Sequence, residues 1–457
     1  MRHPIFAMCS MAAALLAACG GNGPRPGEQS PRLKFSSQVS FGDNISDVGT
    51  YKVGAIAAMG GGTFTINGNN SATYPALTGK NWSELIATQL GLPAPCPAVT
   101  GLDGDPALGF SVAVQAQPNC FAYAQGGARV AHPVGEGHKA TGSPLGALTW
   151  PFASQVQNHL AKVGGKFKGD EIVFVAIGNI DLMFGLTELS ANASAAGSSA
   201  GRTAFATSLA SQLAAGASDP GSAAQAIGAA IAAEAARPGS DDNSVVLAGV
   251  NAAVLAGNSG AASPAVFGPM AAKAQAEAAA AGSAAGNAYA AAQGPLLVQS
   301  MTRTAGEVVS IVKGQLLGNG ANYVAVINMP DVSSSPAGQS QPAAIRALID
   351  TIVKSFNDTL AAGFAGEGKV LLIDAFTNSR DQFSNPTPYG LTNNRETACD
   401  LSPAKNPLGS ALVCNGSNLK AGDVSHYAYA DLVNPTPYLQ WLLARQVAEK
   451  MIAKGWL

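Results

Sequence analysis

Four short apolar runs, at residues 39–42, 171–178, 323–331 and 369–374, alternate along this chain with stretches of helical periodicity. Their apolar side chains are nearly continuous, the pattern of strands buried on both faces. Residues 51–59, 81–90, 150–163, 297–317, 343–364 and 438–452 carry apolar side chains at helical spacing. Strand–helix alternation over this length predicts an α/β fold, a three-layer α/β/α sandwich around a parallel sheet.

Composition narrows the partners. Only 12% of the 457 residues are charged and the net charge is −2. No basic face recommends a nucleic acid and no acidic run recommends a cationic partner, so a neutral small molecule is the expected ligand.

The N-terminus reads as a targeting segment. Arg2 and His3 precede an apolar run from Met8 to Ala18 that is too short to span a bilayer, and Leu16-Ala17-Ala18-Cys19 matches a bacterial lipoprotein cleavage box. Residues 1–18 are then a signal peptide, Cys19 the lipidated N-terminus, and residues 19–33, rich in Gly and Pro, a flexible tether. Several acyl chains hold a protein on a membrane at about 0.8 kcal/mol per buried CH₂. Gly20 after the cysteine, rather than Asp, points to the outer membrane, and the domain proper covers residues 34–457.

Beyond Cys19 remain Cys96, Cys120, Cys399 and Cys414. In an oxidising envelope an even count is read as disulfides, and proximity favours Cys96 with Cys120 and Cys399 with Cys414 among three possible pairings. No Cys-x-x-Cys or paired-histidine spacing occurs, so neither a metal nor a cofactor is expected. The segment between Cys96 and Cys120 reads as a loop, and residues 63–67 alternate like a strand. A disulfide-bearing loop is expected over residues 380–425. From about residue 186 to 299 the chain turns to Ala, Gly and Ser, read as a helical insertion with small-residue interfaces; a low-complexity loop is the alternative.

Polar clusters follow the apolar runs, where open parallel sheets place their sites. The first is Phe41-Gly42-Asp43-Asn44-Ile45-Ser46-Asp47-Val48-Gly49, which resembles the Phe-Gly-Asp-Ser-x-Ser-Asp-x-Gly motif of the SGNH (GDSL-type) ester hydrolases. Ala124-Gln125-Gly126-Gly127-Ala128 is similar to that family's Gly-Gly-Ala motif, Gly178-Asn179-Ile180-Asp181 to its Gly-x-Asn-Asp, and Asp431-Leu432-Val433-Asn434-Pro435-Thr436 to its Asp-x-x-His-Pro-Thr. The resemblance implies an SGNH-hydrolase-like sandwich and assigns roles by position. Asn44 stands at the nucleophile, Gly127 and Ile180 at the oxyanion donors, Asn434 at the general base, and Asp431 at its orienting carboxylate. Asp43 and Asp181 accompany them in the same motifs.

Three of the residues that define the family's chemistry are thus replaced: serine by Asn44, asparagine by Ile180, histidine by Asn434. An amide has no usable proton affinity near pH 7 and cannot serve as a general base. Asn179 supplies an amide one position early, which on extended backbone points the opposite way. Ser46 reads as a cap or core-edge hydroxyl. The expectation is a pseudoenzyme that binds an ester-, lipid- or acylglycan-like molecule. A weak or rearranged ester hydrolase using His426, from Asp423-Val424-Ser425-His426, is the alternative, and a purely structural envelope protein is a third. The elbow also has a structural reading, with Asn44 as a helix N-cap and Asp47 accepting backbone N–H groups.

Overall fold

The computed structural model describes residues 33–68 and 79–457. The signal peptide, Cys19 and nearly all of the expected tether lie outside the described residues. In chain order, strand β1 (Gln38–Gly42) leads through a 3₁₀ turn at Asn44–Ser46 to helices α1 (Gly54–Ala58) and α2 (Trp82–Gln89). Strands β2 (Val99–Asp103) and β3 (Ser111–Ala116), helix α3 (Phe152–Lys162) and strand β4 (Ile172–Ala176) follow. Four helices come next, α4 (Asn179–Ala214), α5 (Pro220–Ala235), α6 (Asp242–Leu255) and α7 (Pro264–Ile311), before strand β5 (Tyr323–Ile327). Then come α8 (Pro336–Gln339), α9 (Ala343–Phe364), β6 (Val370–Ile373), α10 (Ala375–Ser384), β7 (Asn393–Thr397), β8 (Tyr427–Tyr429) and α11 (Pro437–Lys454).

The fold is mixed α/β around a parallel sheet in the order β1-β4-β5-β6, with Gly42, Ala176, Ile327 and Ile373 level at the strands' C-terminal ends. The sheet grows in one direction, so crossovers of one hand return over one face. On that face Val39, Phe41, Val173, Val175, Val324 and Val326 pack against α3, α7 and α9. The opposite face, through Phe174, Ala176, Ala325 and Ile327, is covered by Trp82 and Ile86 of α2 and Val447 and Met451 of α11.

The Ala-rich region is helical throughout. Residues α4 and α7 share an interface closed by glycines: a Cβ at Gly197 would lie 2.7 Å from the Gly282 carbonyl oxygen. At the far end Leu209, Leu213, Ile227, Ile231 and Val250 bury a separate small core. Methyl groups and close backbones do here what larger side chains do in the sheet.

Both disulfides form as expected, Cys96 with Cys120 and Cys399 with Cys414. Several local expectations are corrected. The Cys96–Cys120 segment contains the β2–β3 hairpin rather than a plain loop; β3 is almost wholly exposed, so no buried alternation marks it. Residues 63–67 form no strand. The Asn67 side chain instead donates to the carbonyls of Thr63, Thr65, Ala411 and Cys414, leaving a single bridge to Asn415. Helix α7 starts at Pro264, well before residue 297, because Ala carries the helix where apolar periodicity is faint. The expected loop over 380–425 opens inside α10 and includes β7. No helix among the described residues is long and apolar enough to cross a membrane.

Candidate functional site

The C-terminal ends of all four sheet strands open on one cavity of ≈ 140 Å³, lined among others by Asp43, Asn44, Ile180, Pro330, Ala375 and Asn434. It lies where the parallel-sheet rule puts a site. Its first wall is the elbow after β1. Gln155 of α3 clamps that elbow, accepting from Gly42 N–H at 2.9 Å and donating to the Gly42 carbonyl at 2.9 Å.

Asn44 does not cap a helix. Asp43 occupies the cap position of the 3₁₀ turn without a side-chain bond. The Asn44 carboxamide instead reaches across the cavity edge: its Oδ1 accepts from the backbone N–H of Gly127 at 2.7 Å, and its Nδ2 donates to Asn434 Oδ1 at 3.3 Å. Asn434 Nδ2 then donates to both carboxylate oxygens of Asp431, at 3.1 and 2.9 Å. The orientation of each amide is forced from the ends of this chain, since Gly127 N–H can only donate and the Asp431 oxygens accept. Asp431 is further held by the N–H groups of Ala411 at 2.6 Å, Val433 at 3.0 Å and Asn434 at 2.7 Å.

Gly127 can be nothing else. Its φ is +78° and a Cβ would meet the Glu136 carbonyl oxygen at 2.1 Å. The preceding N–H, on Gly126, is also taken, donating to Asp47 Oδ2 at 2.8 Å. Asp47 accepts from Gly49 at 2.9 Å and Thr50 at 2.8 Å as well, so its role is to tie the elbow to the glycine loop. Burial still raises its carboxyl, against the pull of those N–H groups. Ser46 turns into the core, where its hydroxyl accepts from the Trp82 indole at 3.2 Å.

Ile180 lines the cavity, but not from extended backbone: Asn179 and Ile180 form the first turn of α4, entered through Gly178 at φ +120°. Helical geometry therefore brings Asn179 to the same cavity wall instead of the opposite side, and its Oδ1 is buried without a hydrogen-bond partner among the described residues. Asp181 points away, to Arg129 Nε at 3.1 Å and the Val130 N–H at 2.9 Å, and so fastens α4 to the glycine loop. Burial raises its carboxyl, and the Arg129 guanidinium offsets part of that.

Asp43 is the anomalous group. It is 1% exposed, and neither carboxyl oxygen has a hydrogen-bond partner among the described residues. Burial pushes its pKa up to about 8, with the nearby Asp181 and Glu136 carboxylates adding to the effect. The N–H groups of Ile45 and Asn179 pull the other way without reaching hydrogen-bond geometry. At neutral pH Asp43 is chiefly a neutral acid.

His426 stays outside. Its Nδ1 pairs with Ser425 Oγ at 3.0 Å, its ring stands edge-on to Tyr438 with centroids 4.5 Å apart, and it does not line the cavity. Glu136 and Asp331 do line it, unforeseen from the sequence. Glu136 is accessible to solvent yet crowded within the cleft, and this burial, with the Asp431 charge, raises its carboxyl. Asp331 had a legible signal, a carboxylate just after a buried strand and a proline. It is occupied by Ser334 Oγ at 2.7 Å and Arg380 Nε at 3.1 Å. Among the described residues no group of His, Cys, Asp and Glu is arranged to hold a metal ion.

Chemically, the cavity offers apolar walls, a carboxamide chain along one edge and a neutral acid at its base. At the motif positions themselves, Asn44, Ile180 and Asn434 supply no side chain that could both lose a proton and attack a carbonyl; the hydroxyls that do line the cavity, on Ser335, Ser379 and Tyr429, come from other segments. No family model matches this chain, and no curated protein matches it.

Proposed function

We propose that this chain is an SGNH-hydrolase-like envelope lipoprotein in which the ester-cleaving centre has given way to a binding site for a neutral ester- or lipid-like molecule. In this reading α4–α7 are an insertion into the SGNH-type sandwich, and an acylated Cys19 holds the protein on the outer membrane. The observation that carries the proposal is the bond from Gly127 N–H to Asn44 Oδ1 at 2.7 Å. Asn44 Oδ1 takes the hydrogen bond that a substrate oxyanion would otherwise accept, so this donor is already filled by the protein itself.

Magnitudes favour binding over turnover. In a serine protease, loss of the nucleophile or the base alone costs on the order of 10⁶ in kcat, and about 10³–10⁴ over water remains from the oxyanion site and binding. Here both are replaced, the oxyanion asparagine is Ile180, and the remaining donor is engaged. The His426 route gains no support from a ring that packs on Tyr438 outside the cavity.

The deciding experiment is hydrolysis of p-nitrophenyl butyrate and octanoate by purified protein. The expected rate equals the buffer background. Turnover well above it that vanishes in Asp431→Ala, or a covalent adduct with an organophosphonate ester probe at the elbow, would overturn the proposal.

A further inference from the structure

A second, larger concavity of ≈ 1010 Å³ runs between α4 and α7 on one side and α8 and α9 on the other. Met183 and Val332 line both it and the site cavity, so the two adjoin across these side chains. Resting on the reading of that cavity as a binding site, we propose that this groove takes the acyl chain of a long-chain neutral lipid whose polar end lies beside Asn44.

Three observations select that occupant. The end nearest the cavity is walled by Leu186, Leu189, Ile345 and Ile349, a continuation of the apolar surface around the site. No charged side chain lines the groove, which leaves nothing to pair with an ionic polymer, and no aromatic ring lines it to stack on a sugar. From Met183 to Ser198 along α4 is 15 residues at 1.5 Å each, about 22 Å, comparable with an extended long-chain acyl group. Farther out the walls are Gly197, Gly282 and Gly286 with neighbouring alanines and serines, and these short side chains are what leave the channel open. The glycines that let α4 and α7 approach thus also shape the trough.

The test uses two non-hydrolysable neutral probes on the purified protein, 1-O-butylglycerol and 1-O-hexadecylglycerol, the latter below its micellar concentration. The hexadecyl ether should bind at least about 100-fold more tightly, because each fully buried methylene contributes a factor of about four. Thr187→Arg and Ser190→Arg, both at exposed groove positions, should each weaken hexadecyl binding at least tenfold and leave butyl binding unchanged. Circular dichroism and thermal melting confirm that each variant is folded. Equal affinity for the two ethers, or arginine variants that bind the hexadecyl ether like the parent, would overturn the groove assignment while leaving the cavity reading intact. Binding of neither ether would remove both.

Discussion

The Gly127 backbone N–H and the Asn44 side chain, 83 positions apart in the chain, meet at 2.7 Å, and this contact occupies the Gly127 donor. Asn44 is in turn bonded to Asn434, and Asn434 to Asp431, so four residues from three segments of the chain are joined in a single donor-to-acceptor sequence. A serine at 44 has no atom placed to span from Gly127 to Asn434, whereas a carboxamide has one acceptor and one donor for the two neighbours.

Removing that span should be felt in stability. Asn44→Ala leaves Gly127 N–H and Asn434 Oδ1 without their partners at a buried site, which costs about 1–3 kcal/mol. Urea denaturation should show a lower midpoint with an unchanged slope. An unaltered midpoint would mean that the amide chain contributes nothing to the fold.

Installing a Ser-His-Asp arrangement tests the motif assignment. The combined variant Asn44→Ser, Ile180→Asn, Asn434→His frees Gly127 N–H, adds a hydroxyl nucleophile and places an imidazole against Asp431. General acid–base catalysis is worth about 10²–10⁴-fold, so p-nitrophenyl ester hydrolysis should rise at least 10²-fold above the parent. If the variant folds and stays inert, the positional roles are misassigned.

Asp43 makes stability depend on pH with a definite sign. Burial pushes its carboxyl from the ordinary 3.8 up to about 8 in the fold, so between those values the folded state binds more protons than the unfolded chain. The stabilisation it contributes is complete below about pH 4 and is lost as pH rises towards 8, at up to about 1.4 kcal/mol per pH unit. Burial raises the carboxyls of Asp47, Glu136 and Asp181 in the same direction, so the comparison must be with Asp43→Asn. That variant should gain stability relative to the parent between pH 5 and 8, read from melting temperatures across the range. A difference independent of pH would refute the assignment of a proton to Asp43.

The two disulfides should differ in consequence although each closes a loop worth about 3 kcal/mol on the chain-entropy estimate. Cys399 and Cys414 are fully buried, and Ala411, three residues before Cys414, gives its N–H to Asp431 Oδ2 at 2.6 Å. Replacing both by Ala should lower stability and also weaken 1-O-hexadecylglycerol binding. Replacing Cys96 and Cys120 should lower stability alone. Calorimetric titration of each double variant separates the two effects.

Much of the architecture was legible because parallel strands buried on both faces read as apolar runs, which β4, β5 and β6 are and which β1 is apart from Gln38 and Ser40. The β2–β3 hairpin was not, since an exposed strand such as β3 gains no burial and needs no alternation. The start of α7 was hidden for a related reason: a helix packed through Ala and Gly carries little apolar contrast between its faces. At the site, Asn44, Gly127, Asp431 and Asn434 stood out by position, while Glu136, far from any strand end, offered no signal.

By itself the amino-acid sequence determined what the side chains at positions 44, 180 and 434 cannot supply, because proton affinity and nucleophilicity belong to side-chain types that are readable without coordinates. Only the tertiary structure decided which groups are already occupied. Whether the Gly127 N–H faces a ligand or a neighbouring carboxamide, and whether Asp43 keeps its proton, depend on distances and burial among residues remote in the chain, and no local pattern encodes them.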